Sequence, residues 1–111
     1  MKIAIASDHA GFQMNEDIKN FLKKIGHQTK DYGTFDKASV DYPEFAVKVA
    51  EAVSKREADK GILFCGTGLG MSIVANKVPG IRAALCYDKN TAELSRKHND
   101  ANVLTIGARI I

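Results

Sequence analysis

A cysteine directly before three alternating glycines, "CGTGLG" at 65–70, is the stretch of this 111-residue chain best suited to chemistry. A turn needs one glycine for its positive φ; Gly66, Gly68 and Gly70 together exceed that need. Glycines at every second position let successive backbone N–H groups, through Thr67 and Leu69, face one point. Such a nest at a helix start binds a phosphate or an oxyanion that develops during reaction. Oriented N–H groups also stabilise a thiolate, so Cys65 beside the nest is read as a base or nucleophile. Cys86 ends a similar apolar run without glycines after it and is read as an inert buried thiol.

Two nucleotide readings fail on spacing. Asp88 lies about where a ribose-binding acid would follow a dinucleotide loop. Yet "GTGLG" is G-x-G-x-G rather than G-x-G-x-x-G, and no Gly-Lys-Ser/Thr follows to make a P-loop. Among the histidines, His98 ends a helical pattern, where the dipole favours imidazolium and suits a proton donor. His9 gains from standing next to Asp8 at the end of the first apolar run. His27, after Gly26, is read as solvated. Three histidines and two cysteines show no ligand spacing, so no metal is expected.

The elements that must position these residues follow from periodicity. Apolar runs "KIAIAS", "GILFC", "RAALCY" and "NVLTIGARII", with the weaker "QTKDYG", read as five strands. Phe12, Ile18, Phe21, Leu22 and Ile25 give a helical stripe stopped by Gly26. Phe45, Val49, Ala52 and Val53 give a second, with Asp41 as N-cap and Pro43 in its first turn. A short helix to about Lys77 and another over "DKNTAELSRKH" complete the set, and Glu51 and Glu57 read as a solvated face. Strands alternating with helices predict an α/β, Rossmann-like three-layer sandwich with a five-stranded parallel sheet. Ligands in such sheets sit beyond the carboxyl ends of the strands. That rule gathers Asp8, His9, the 65–70 loop, Tyr87 and Asp88.

Composition sets outer bounds. One domain spanning 1–111 is expected from the length. A net charge of +3 is too small to indicate nucleic acid and suits a small anionic ligand. The opening "MKIAIAS" has too short an apolar run for a signal peptide or membrane span, so no membrane partner is expected. Two cysteines outside any spaced framework suggest thiols kept reduced in a cytoplasm.

"SDHAGF" at 7–12, "VDYP" at 40–43, "CGTGLGMSIVANKVPGIRAAL" at 65–85 and "HNDANVLTIGARI" at 98–110 together resemble ribose-5-phosphate isomerase B. The galactose-6-phosphate isomerase subunits are similar too. The resemblance implies a cofactor-free, metal-free aldose–ketose isomerase of the pentose phosphate pathway, interconverting ribose 5-phosphate and ribulose 5-phosphate. It implies a homodimer or homotetramer with active sites shared between subunits. By position, Cys65 is the base, and Gly66, Gly68, Leu69 and Gly70 cradle the enediolate with Thr67 near the reacting oxygens. Asp8, His9 and Tyr42 contact the sugar, His98 opens the furanose ring, Asn99 binds substrate and Arg109 meets the phosphate. The family pattern continues past Ile111 into a helical segment that carries further arginines; the domain is expected without it. Competing readings are a related isomerase of galactose 6-phosphate or allose 6-phosphate, and a non-catalytic phosphosugar-binding module. His98 favours the pentose, and Cys65 with His98 argues against a pure binder.

Overall fold

Small and branched apolar residues make the strands. Ile3 to Ala6 in the first strand are all buried, because helices cover both faces of the sheet. The computed structural model describes residues 1–33 and 42–111. In chain order the elements are β1 (Lys2–Ser7), α1 (Phe12–Lys24), β2 (Gln28–Asp31), α2 (Tyr42–Ser54) and β3 (Lys60–Cys65). There follow α3 (Leu69–Ala75), β4 (Ala83–Leu85), α4 (Lys89–Asn99) and β5 (Val103–Gly107). The expected N-cap Asp41 lies outside the described residues.

All strand pairs are parallel, in the order β2-β1-β3-β5-β4. Right-handed crossovers then place α2 and α3 on one face and α1 and α4 on the other. The α2/α3 face holds the main core, where Ala46, Val49, Ala50 and Met71 pack on Ala4, Ala6, Leu63 and Val103. On the opposite face α4 buries none of its residues. It stands over an apolar cavity of ≈ 200 Å³ lined by Ile3, Ile62 and Leu104 of the sheet and Ala92 and Ser95 of the helix.

Several boundaries differ from the expected ones. β4 is only Ala83–Leu85, without Arg82, Cys86 or Tyr87; a side chain replaces the backbone partner of Arg82 N, while Cys86 N keeps a single backbone bond to Thr105 O (3.1 Å). Asn102 Oδ1 accepts from Arg82 N (2.8 Å). At the outer edge, Asn76 Oδ1 accepts from Ala83 N (2.8 Å) while Asn76 Nδ2 donates to Ala83 O (3.0 Å). β5 ends at Gly107, not at Ile111: Ile110 N and Ile111 N turn back to Gly107 O (3.0 and 3.1 Å). The α1 stripe also turns differently. Asn15 and Leu22 face the sheet, whereas Phe21 and Ile25 are more than half exposed. Glu57 falls beyond α2. His27 is not simply solvated, since its Nδ1 lies 2.8 Å from the Met1 amino nitrogen.

Candidate active site

Parallel strands bring their carboxyl ends to one edge, and the glycine loop leaves β3 there. Cys65 is buried at the strand end with its side chain on the α2/α3 face. Gly68 takes φ +81°, the left-handed conformation that glycine adopts without cost, and this turns the chain into α3. The turn aims Gly68 N–H at Cys65 Sγ (3.1 Å). A donor aimed at sulfur stabilises negative charge on it. Beside it, Thr67 Oγ1 accepts from Leu69 N (3.2 Å), which leaves the exposed hydroxyl's hydrogen for an oxygen outside. The two N–H groups do not face one point as the spacing predicted: Gly68 N–H is directed at the thiol and Leu69 N–H at the Thr67 hydroxyl.

Neighbouring loops close around this turn. Asp8 is buried, and its Oδ1 accepts from Ala10 N (2.9 Å) and Gly11 N (3.1 Å), tying the β1–α1 loop into a tight turn. Asp8 N donates to Phe64 O (3.1 Å), so this loop runs alongside the end of β3. His9 follows, half-buried, with Nδ1 shielded and lacking a hydrogen-bond partner among the described residues. The Tyr42 hydroxyl lies over Gly70, where a Cβ would sit 2.7 Å from it. From the other side, the turn after β5 carries Arg109 across Gly66. Arg109 N donates to Gly66 O (2.9 Å), and a Cβ on Gly66 would be 3.4 Å from the guanidinium. The Arg109 side chain is exposed and pairs with no carboxylate among the described residues, so its charge is open to an anion.

The structure thus gathers Asp8, His9, Tyr42, Cys65 to Gly70 and Arg109 at one edge. His98 and Asn99 are elsewhere. α4 starts at the carboxyl edge and runs back antiparallel to the strands, a rise of about 16 Å. Its last turn reaches the amino edge, where Asn99 O accepts from Arg82 Nε (2.5 Å) just before β4 begins. Tyr87 and Asp88 do lie at the carboxyl edge. Asp88 is spent as the α4 cap, accepting from Thr91 N (2.7 Å) and Thr91 Oγ1 (2.8 Å), and these bonds hold its carboxyl below the usual range. Among the described residues no group of three His, Cys, Asp or Glu could hold a metal ion, and no helix is long and apolar enough to cross a membrane.

Two shaping residues escape a reading by residue type. Gly107 lets β5 pass the Thr67 backbone, which a Cβ would overlap. A glycine at the end of the strand next to the loop was the available signal. Gly11 likewise presses on Phe64, where a Cβ would come 2.5 Å from the Phe64 Cβ and 2.8 Å from its backbone carbonyl.

Comparison with known proteins gives this geometry a context. The family model described as Ribose/Galactose Isomerase matches residues 3–111. Ribose-5-phosphate isomerase B of Escherichia coli is 48% identical over 110 residues, which are 99% of this chain and 74% of that protein. A putative sugar phosphate isomerase of Bacillus subtilis is 50% identical over 112 residues, covering 100% of this chain and 75% of the relative. Among solved structures, ribose-5-phosphate isomerase B of Clostridium thermocellum superposes with a TM-score of 0.99 at 57% identity, over 100% of this chain and 75% of that one. The Mycoplasma genitalium ribose-5-phosphate isomerase B with bound ribulose-5-phosphate gives a TM-score of 0.94 at 44% identity, over 99% of this chain and 74% of that one.

Proposed function

Because the chain belongs to the ribose/galactose isomerase family, we propose that it interconverts ribose 5-phosphate and ribulose 5-phosphate, with Cys65 as the proton-transferring base. The observation that carries this reading is the Gly68 N–H directed at Cys65 Sγ inside a glycine turn overlain by Arg109. A proton next to a carbonyl is only weakly acidic. Its removal needs a placed base and donors for the enediolate oxygens, and a removed oxyanion donor costs typically about 3 kcal/mol.

In the forward direction Cys65 takes the C2 proton of the open-chain aldose. The electron pair forms the C1–C2 double bond as the C1 carbonyl opens, and negative charge collects on O1. The 66–70 loop and the Thr67 hydroxyl stabilise it; the O2 hydroxyl proton passes to O1, C2=O forms, and Cys65 returns its proton to C1. Asp8, His9 and Tyr42 hold the sugar, and Arg109 offers its charge, unpaired among the described residues, to the phosphate. Ring opening needs an acid at the furanose oxygen, the role of His98, with Asn99 beside it on the substrate. Since α4 carries both away from Cys65 within one chain, they reach the site from a second copy, in a homodimer or a pair of dimers. The reaction uses no cofactor, and a cytoplasmic place in pentose phosphate metabolism fits it.

Incubating the protein with ribose 5-phosphate in deuterated buffer tests the reading. Deuterium should enter C2 of the aldose and C1 of the ketose. Binding without exchange would leave a phosphosugar-binding module, and faster exchange into galactose 6-phosphate or allose 6-phosphate would move the substrate to a hexose.

A further inference from the structure

We propose that Asn15 is a positioning residue for Asp8 and His9, acting through Ser7; the role rests on the reading of those two as sugar contacts. Asn15 is fully buried on the sheet-facing side of α1. Its Nδ2 donates to Ser7 Oγ (3.3 Å), also fully buried, and its Oδ1 has no hydrogen-bond partner among the described residues. A buried amide oxygen left unpaired costs stability that an apolar side chain of similar size would not. Stability therefore does not account for an asparagine here, and its connections do. Ser7 immediately precedes Asp8, and Asn15 N donates to Gly11 O (2.9 Å) at the far end of the same loop. The Asn15 side chain thus holds the start of the 7–11 segment, whose end is closed by the first backbone bond of α1, while Asp8 N on Phe64 O and Ser7 N on Gly33 O (2.7 Å) fix it to the sheet. The His9 ring has no hydrogen bond of its own at Nδ1 among the described residues, so the loop backbone decides where the imidazole lies.

The decisive variant is Ser7→Ala with Asn15→Leu, which removes both partners and the unpaired oxygen together. Its thermal midpoint should equal or exceed the wild-type value. The dissociation constant for ribose 5-phosphate, measured by calorimetry, should rise about tenfold, and the His9 imidazole NMR signals should shift. Thr105→Val removes an equally buried, unpaired hydroxyl on the opposite sheet face and should leave those signals in place. Unmoved His9 signals in a folded double variant would overturn the proposal, as would an equal shift in Thr105→Val. Should the double variant not fold, Ser7→Ala alone carries the same test. A wild-type protein that binds no ribose 5-phosphate would defeat the substrate reading instead, and the His9 signals would still decide the role of Asn15.

Discussion

Cys65 and Cys86 are both buried thiols at the carboxyl edge of the sheet, and their surroundings differ in one respect that matters. Cys65 Sγ accepts from a backbone N–H, whereas Cys86 Sγ donates to the Ala84 carbonyl at 3.7 Å. Cys65→Ala should accordingly slow isomerisation by about 10²- to 10⁴-fold while substrate affinity changes only a few-fold, because the base acts in the transition state. Cys86→Ala should be close to neutral. Steady-state rates and calorimetric binding on both variants check this, and equal losses would remove the base from Cys65. The contrast was legible in the sequence because glycine spacing encodes backbone direction. Asn15 was not legible: hydrophobic periodicity skips a polar residue even when it faces the core. Phe21 misled for the complementary reason. It lies about 100° around the helix from Leu22, turned off the sheet although its type suggests burial.

Elements were read well where apolar runs and breakers coincide, as at β1, β3 and the Gly26 stop, and less well where side chains replace backbone partners. "RAALCY" looks like a longer strand than β4 because nothing in residue type announces that Asn102 will hold Arg82 N. The turn at Ala108–Ile110 was hidden too. It depends on Gly107 slipping past Thr67, a tertiary event, and it is what brings Arg109 to Gly66. At α4 the expected start was right and carries a pH dependence. Thr91 N–H first, then its hydroxyl, lower the Asp88 carboxyl, so the folded state releases its proton more readily than the unfolded chain. The cap's contribution is full above the ordinary aspartate value of about 3.9 and is lost as pH falls through the lowered folded value. Asp88→Asn keeps a good cap without that titration. Residue-resolved Cα shifts should show the first turn of α4 loosening in acid in the wild type only.

For the whole molecule, the distance from Cys65 to His98 is the central fact. One is at the carboxyl edge of the sheet and the other, at the end of α4, is at the amino edge. The family resemblance supplied both residues, but chain order alone could not say that they part company. Mixing separately inactive Cys65→Ala and His98→Asn proteins, after dissociation and reassembly, should restore about a quarter of wild-type turnover in a two-fold assembly with random pairing. Sites built within one chain would restore none. How a second copy could meet the sheet is narrowed by Asn76. Because Asn102 N and Thr105 O occupy the inner side of β4, the Ala83 N–H and C=O point outward, and the Asn76 amide takes both. That amide does the work of one residue of a sixth strand. The edge offers a newcomer no vacant pair at Ala83, so a sheet running on from another copy would first have to displace Asn76, and the fold carries its own guard against strand-templated aggregation at that border.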